Sequence, residues 1–376
     1  MIVIIAILIA IFVPFLFSFT IYKLDLYGTG TFRNIIISGV WGVFAYLIVA
    51  QINPAMVDAG LVTFDNMIRF SAPILEEVLK GIILIYFIYN ASFTYFVDGA
   101  IYGFAAGIGF AIIENFEYVL GNPETALIQA IGRVLSTNLM HATGSGIIGI
   151  SLGMARFDKS TRRMLIFLSG LALAMVQHII FNNLVTRVTS GLLLLYAAIA
   201  GFAGVGFIAY MIRRGLREEL DWIVDKLENE DQITSQEVSA IQQLKDSQKF
   251  LAPVAEKFGI EKASQIEKFL LAQAKLGILR KTRDKFAESG EEKFQEATEL
   301  QIENLDAEMN EARQQVGVYC MLYLRGTFMQ ESSPLWNRLE DLIKERSQSQ
   351  NKNNAPSLWG TLNSRITKPT SSIGEE

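Results

Sequence analysis

Cysteine and histidine are almost absent from this sequence. Its 376 residues include one cysteine, Cys320, and two histidines, His141 and His178. A single cysteine excludes an intramolecular disulfide and any metal site that needs several thiolates. The formal net charge of -5 is too small to indicate a nucleic-acid partner, and none is expected.

Charged side chains are scarce in the first half of the chain and dense from Arg213 onward. Hydrophobic residues make up 51% of the sequence and its mean hydropathy is +0.31, so it has more apolar side chains than a soluble domain usually carries. We therefore predict an all-α protein with a transmembrane domain over residues 1–212. A soluble helical bundle or hairpin over residues 213–346 and a disordered tail over residues 347–376 would follow.

Seven apolar segments of the first part are each about as long as a membrane-spanning helix, which needs roughly 20 residues. The predicted fold is a polytopic membrane helix bundle of about seven transmembrane helices with a C-terminal cytoplasmic helical domain. The predicted spans are Ile2 to Tyr22, Asn34 to Gln51, Phe70 to Tyr89, Tyr95 to Leu120, Val134 to Met154, Met164 to Asn183, and Leu192 to Ile212.

Basic residues form clusters after two of these spans. Because lysine and arginine concentrate in cytoplasmic loops, the clusters predict which side of the membrane each loop faces. On this basis the N-terminus lies outside and the C-terminal half lies in the cytoplasm. The clusters are Arg156, Lys159, Arg162 and Arg163 after the fifth span, and Arg213, Arg214 and Arg217 after the seventh.

Five ionisable side chains interrupt the apolar spans at a similar depth. With the predicted topology, each lies about 8 to 11 Å below the outer boundary of the membrane. Ionisable groups at bilayer depth are costly and usually mark a relay, a transport pathway or a catalytic site. We predict that these side chains line one polar cavity. They are Glu76, Glu77, Glu114, His141 and His178.

Lys80 lies on the same span as the two adjacent glutamates. Glu76 and Lys80 are four positions apart with the acid first, which is the better order for an ion pair on a helix. The spacing therefore predicts that Lys80 neutralises Glu76 and leaves Glu77 free to act as a general base. One turn beyond His178, Asn182 is predicted to orient a ring or to donate to a carbonyl.

Small residues recur at every fourth position along the fourth and fifth spans. Such a stripe lets two helix backbones approach closely in lipid, so these spans are predicted to pack against each other. Glu114, Asn115 and Tyr118 form a polar cluster on the fourth span. The stripes consist of Gly99, Gly103 and Gly107, and of Ser145, Gly149 and Gly153.

Four ordered motifs run through the third to sixth spans. They are Glu76-Glu77-x-x-Lys80, then Asp98-Gly99 with Tyr102-Gly103-x-x-x-Gly107-x-Gly109-Phe110-Ala111-x-x-Glu114-Asn115-x-x-Tyr118, then His141-x-x-Gly144, then His178-x-x-Phe181-Asn182. Together they resemble the motifs of PrsW-type bacterial intramembrane proteases, which are similar to the CAAX prenyl endopeptidases and their bacterial relatives. The resemblance covers about Phe70 to Asn183 and does not extend to the C-terminal half.

The resemblance implies hydrolysis of a peptide bond in a membrane-anchored protein, such as a regulated site-1 cleavage, at the plasma membrane of a bacterium. The glutamate pair would activate water, with Glu114, His141 and His178 completing the site. A zinc version, in which those last three residues are ligands, remains open. We favour a glutamate version, in which the histidines and Asn182 donate to the oxyanion, because no HExxH spacing is present.

Two other functions remain open for such a chain. A membrane transporter or proton relay also places carboxylates and histidines in its spans, and a noncatalytic scaffold would signal through its soluble helices. In the soluble part, Lys262 to Ala287 and Glu292 to Arg325 are predicted to form two amphipathic helices around the turn Glu288-Ser289-Gly290. These helices are candidates for binding a protein partner or for self-association.

Overall fold

The computed structural model describes residues 1–187, 191–229 and 240–317, together with Cys320 and Tyr323. Every regular element in these residues is a helix, which confirms the all-α class. The described residues up to Gly317 belong to one compact unit. The tail predicted over residues 347–376 lies outside the described residues.

Nine helices precede the first long gap in the described residues. α3 is a single turn, and the π-helical turn Met67–Ser71 joins it to α4, so these elements run on without a loop. The helices are α1 Ile2–Tyr22, α2 Phe32–Asp58, α3 Phe64–Asn66, α4 Ala72–Ile88, α5 Phe96–Gly121, α6 Ala126–Leu135, α7 Thr137–Met154, α8 Ser160–Arg187 and α9 Gly191–Asn229.

Five of these helices, α1, α2, α5, α8 and α9, are long and apolar enough to cross a membrane. The third and fifth predicted spans are helices as well, but α4 has only 17 residues and α7 only 18. α4 carries two acids and a lysine, and α7 is rich in glycine and small polar residues, so neither has the sustained apolar length of a lipid-facing span. The structure therefore supports five spans, and the count of seven stays a prediction.

α5 lies at the centre of the helix bundle. In its most apolar stretch 94% of the residues are buried inside the protein, compared with 17% for α1. The glycines of its stripe face α7, since a Cβ atom on Gly103 would lie 2.1 Å from the carbonyl oxygen of Ser145. A Cβ atom on Gly107 would lie 2.3 Å from that of His141. The predicted packing of the two stripes is confirmed, and it brings α7 directly against the helix that carries Glu114.

The C-terminal helices of the first unit are α10 Ser247–Phe258, α11 Ile260–Ser289 and α12 Glu292–Val316. α11 and α12 form the predicted hairpin, and Gly290 adopts a left-handed conformation with φ 74° at its turn. α12 ends at Val316, before the predicted end at Arg325, because Gly317 leaves the helical conformation with φ 83°. α9 continues through Arg213, and the domain boundary at that residue stays a prediction.

Arg156, in the turn after α7, attaches the C-terminal hairpin to the membrane helices. Its side chain is only 1% exposed, and its Nη2 donates to the carbonyl oxygen of Asn90 over 3.0 Å. The guanidinium carbon lies 5.0 Å from the ring centroids of both Phe286 and Phe294, within the range of cation–π attraction. Burial lowers the pKa of Arg156 to about 9. The hairpin turn therefore packs near the end of α4 that lies away from Glu76.

The close contact between α5 and α7 can be tested with two matched glycine substitutions. Gly103→Ala adds a methyl group only 2.1 Å from the carbonyl oxygen of Ser145, which is too close for the two atoms to pack. We therefore expect it to lower the free energy of unfolding by about 1 to 3 kcal/mol. Gly206→Ala, on α9, meets no atom within 4 Å and should cause no loss, since alanine favours a helix. Unfolding in detergent measures both, and an equal effect of the two variants would contradict the assigned contact.

Candidate active site

Glu77 and Lys80 form a buried ion pair on the inner face of α4. Lys80 Nζ lies 2.7 Å from Glu77 Oε1, and both side chains are 0% exposed. The prediction that Lys80 neutralises Glu76 is therefore wrong. Residues three and four positions apart both neighbour each other on a helix, so spacing alone could not choose between the two glutamates.

His141 links this ion pair to Glu114. Its Nδ1 lies 3.0 Å from Lys80 Nζ, and its Nε2 lies 2.9 Å from Glu114 Oε2. A lysine ammonium only donates hydrogen bonds, and an ionised carboxylate only accepts them. We therefore assign the ring proton of His141 to Nε2, which leaves the lone pair of Nδ1 to accept from Lys80.

His178 approaches both glutamates of the pair. Its Nδ1 lies 2.9 Å from Glu77 Oε1, so that nitrogen carries the proton, and its Nε2 lies 3.7 Å from Glu76 Oε2. The rings of His141 and His178 meet edge to face with their centroids 4.8 Å apart. The structure therefore brings together all five residues predicted to line one cavity.

Acceptor atoms of Glu76, Glu77 and His178 make no hydrogen bond in the described part of the chain. Glu77 Oε2 is buried without a partner and faces Gly144, where a Cβ atom would lie 3.3 Å from it. Glu76 Oε2 and His178 Nε2 are too far apart to share a hydrogen bond. Acceptors without donors suit a bound water, a proton or a cation, and the Glu76 side chain is 12% exposed.

The predicted supporting residues lie on either side of this cluster. Asn115 Nδ2 donates to Asn138 Oδ1 over 2.6 Å, which ties α5 to α7. Tyr118 is exposed at the end of α5. Asn182 Nδ2 donates to the carbonyl oxygen of Ile68 over 2.9 Å, and this bond joins α8 to the π-helical turn before α4. Asn182 therefore ties these two elements together, and its role as a donor at the active site stays a prediction.

Arg133 on α6 also belongs to the site, although the sequence analysis did not include it among the site residues. Its Nη2 lies 2.9 Å from Glu114 Oε1, and its Nε donates to Asn115 Oδ1 over 2.8 Å. Its guanidinium carbon lies 3.7 Å from the ring centroid of Tyr118. The available signal was a lone arginine in an apolar segment just after the span that carries Glu114.

Glu76, His141 and His178 form the one group in the described residues whose donor atoms could hold a metal ion. One donor atom from each lies within 4.8 Å of the others. The zinc ligands predicted from the sequence included Glu114 in place of Glu76. In the structure, Glu114 already binds Arg133 and His141. Carboxylate oxygen and imidazole nitrogen are the donors that zinc prefers, so these residues fit zinc once His141 releases one of its two partners.

The fold and the site together define an integral membrane protein with a buried cluster of carboxylates, histidines and one lysine. The family model described as PrsW family intramembrane metalloprotease matches residues 30–224, which is more than half of the 376 residues and contains every site residue named above. The chain belongs to the PrsW family. No solved structure gives a significant match.

Curated relatives match part of this region. A protein named Protease PrsW from Geobacillus kaustophilus is 37% identical over 103 residues, which is 27% of this chain and 44% of the relative. Protease PrsW from Bacillus subtilis is 31% identical over 121 residues, or 32% of this chain and 54% of the relative. The chain thus spans about half the length of the curated relatives that it matches.

The buried ion pair can be tested with a double-mutant cycle. Lys80→Met leaves Glu77 buried with His178 as its remaining partner, so we expect the free energy of unfolding to fall by about 3 to 5 kcal/mol. Adding Glu77→Gln removes the uncompensated charge and should restore part of that loss. Lys159→Met, at an exposed lysine, is the control. If Lys80→Met were as mild as Lys159→Met, the pair would not stabilise the fold.

Proposed function

We propose that this protein is an intramembrane endopeptidase that hydrolyses a peptide bond in a membrane-anchored protein. Membership of the PrsW family supports the class of reaction. The observation that carries the proposal is the Glu76 carboxylate, which lies 3.7 Å from the His178 imidazole and has no hydrogen bond in the described residues. A carboxylate held beside an imidazole but left open can take a proton from water.

Glu76 is the better candidate for the general base. Glu77 Oε1 accepts from both Lys80 and His178, and these bonds hold Glu77 in its charged form. Glu76 would take a proton from a water molecule whose oxygen attacks the peptide carbonyl carbon. The carbon–nitrogen bond then breaks, and the proton passes from Glu76 to the leaving amine. This assignment reverses the one drawn from helical spacing, which favoured Glu77.

The histidines would act by orientation more than by donation to an oxyanion. The ring N–H of His141 donates a hydrogen bond to Glu114, and the ring N–H of His178 donates one to Glu77. A different donor is available on α7, since Asn138 Nδ2 is buried without a partner among the described residues. We assign the oxyanion contact to this amide, because an unused buried donor costs free energy until a ligand accepts from it.

A zinc version of the site uses the same residues differently. Glu76, His141 and His178 would hold the ion, which would supply a bound water of lowered pKa and polarise the substrate carbonyl. Glu77 Oε2 would then be the remaining open acceptor. We favour the glutamate version, because the Lys80 ammonium lies 3.0 Å from His141 and opposes a second cation there.

A proton relay is the second candidate function. Glu114, His141, Lys80, Glu77 and His178 form an unbroken series of polar contacts of 2.7 to 3.0 Å. Series of ionisable groups inside membrane proteins carry protons in pumps and transporters. A relay would leave a membrane-anchored reporter protein intact, while loss of Glu77 would abolish proton or solute flux in vesicles.

The membrane arrangement that accompanies this proposal has seven spans, with the N-terminus outside and the C-terminal helices in the cytoplasm of a bacterial cell. The basic residues in the turn after α7 support it. The hairpin of α11 and α12 would bind a partner protein or a second copy from the cytoplasmic side. Its contact with Arg156 places it beside that same turn.

The role of Glu76 is tested by Glu76→Gln. Because the amide cannot accept a proton from water, we expect cleavage of a membrane-anchored reporter to fall by at least about 100-fold, the lower end of the general-base contribution. Membrane insertion should be unchanged. Glu117→Gln, an exposed acid near the same end of α5 as Glu114, is the control and should keep full activity. Wild-type turnover in Glu76→Gln would exclude Glu76 as the base.

Metal dependence separates the two chemical versions. We expect the purified protein to keep its activity, within about twofold, after treatment with a chelator, because the glutamate version needs no ion. The preparation should also contain no stoichiometric zinc by elemental analysis. The zinc version would instead be established if chelation abolished the activity and added zinc restored it. In that case added zinc should restore no activity to His178→Ala.

A further inference from the structure

Arg133 makes three contacts near the C-terminal end of α5. It contacts residues that support the proposed substrate site. It binds Glu114 Oε1 and Asn115 Oδ1, and it stacks over the ring of Tyr118. Its side chain is 14% exposed, so this cation lies largely within the protein. It contacts neither Glu76 nor Glu77 in any hydrogen bond or ion pair found in the described residues.

The first contact fixes the direction of hydrogen bonds toward Lys80. Arg133 Nη2 and Glu114 Oε1 form an ion pair, which leaves the other carboxylate oxygen of Glu114 as an acceptor facing His141. A hydrogen bond to this acceptor places the ring proton of His141 on Nε2. The lone pair of His141 Nδ1 then faces Lys80 and accepts a hydrogen bond from it. Lys80 also donates to Glu77 and remains its ion-pair partner.

The second contact fixes the direction of an amide series toward α7. Arg133 Nε donates to Asn115 Oδ1, so the amino group of Asn115 must point the other way. That amino group donates to Asn138 Oδ1 over 2.6 Å. The amino group of Asn138 is consequently left as the buried donor without a partner in the described residues.

We propose that Arg133 is a positioning residue, which sets the tautomer of His141 through Glu114 and the orientation of the Asn138 amide through Asn115. This inference rests on the proposed peptidase activity for its kinetic consequence. Its geometric content, the tautomer and the amide orientation, does not depend on that activity. A merely structural arginine would stabilise α6 against α5 and leave both orientations unchanged.

Kinetics of three variants separate positioning from stability. Residues behind a site typically change activity by 10- to 100-fold, so we expect Arg133→Gln to lower kcat by about that factor with KM within about twofold. Arg133→Lys keeps the charge opposite Glu114 but has no fork to reach Asn115 as well, and should recover part of kcat. Arg69→Gln removes an arginine that pairs with Asp65 and is the control for the loss of a positive charge.

A double-mutant cycle tests whether Arg133 acts through Glu114. If it does, Arg133→Gln should lower kcat much less in a Glu114→Gln protein than in the wild type, because Glu114→Gln has already removed the interaction through which Arg133 acts. The thermal midpoint of unfolding of each variant in detergent is recorded beside kcat. Full additivity of the two substitutions in kcat would overturn the proposed path through Glu114.

Histidine NMR provides a readout that does not require catalysis. The chain has only two histidines, so protein labelled with 15N-histidine should give four ring-nitrogen signals. His178→Asn assigns them. In the wild type we expect His141 in the Nε2-protonated form, and in Arg133→Gln we expect its nitrogen shifts to change while those of His178 stay in place. Unchanged His141 shifts in Arg133→Gln would overturn the proposal.

The two measurements also distinguish failure of this inference from failure of the proposed function. If the wild-type protein cleaved no reporter but the His141 signals responded to Arg133→Gln, the peptidase proposal would fail and the positioning role would stand. If the wild-type protein cleaved its reporter and neither kcat nor the His141 signals responded, Arg133 would be a structural residue only.

Discussion

The rest of the structure depends on a salt bridge that water does not reach. Glu77 and Lys80 are fully buried, with 2.7 Å between Nζ and Oε1. Removing two charges from water costs several kcal/mol for each ion, and their attraction offsets this only when further hydrogen bonds satisfy the remaining donors and acceptors. His141 and His178 supply those bonds from α7 and α8. The ion pair therefore requires α4, α7 and α8 to meet at one level, and α4 alone could not stabilise it.

Close helix packing makes that meeting possible. Gly107 leaves room for the backbone of His141, since a Cβ atom there would lie 2.3 Å from its carbonyl oxygen. Gly144, one turn further along α7, leaves room for Glu77 Oε2. Small residues on α5 and α7 thus do two things. They let the backbones touch, and they leave space next to Glu77 Oε2, which has no hydrogen-bond partner among the described residues.

The sequence predicted the helices and the members of the site better than it predicted their partners. Apolar length and glycine spacing are local properties, and they correctly indicated the α5–α7 contact and the closeness of Glu76, Glu114 and the two histidines. The choice between Glu76 and Glu77 depends on the rotation of α4, which is set by neighbours distant in sequence. Arg133 was missed because its role depends on the direction in which α6 leaves α5, and no residue pattern specifies that turn.

The charges at the site do not balance, and the imbalance defines what the site can do. Glu76, Glu77 and Glu114 are three carboxylates, whereas Lys80 and Arg133 are the two fixed cations that bind among them. Glu76 is the carboxylate left without a cation partner, because Lys80 binds Glu77 and Arg133 binds Glu114. A base, a relay and a metal site all need such an open carboxylate. They differ in whether water, a proton or a cation reaches it. The amino group of Asn138, which has no hydrogen-bond partner among the described residues, favours a ligand that develops negative charge. A peptide carbonyl develops such a charge during hydrolysis.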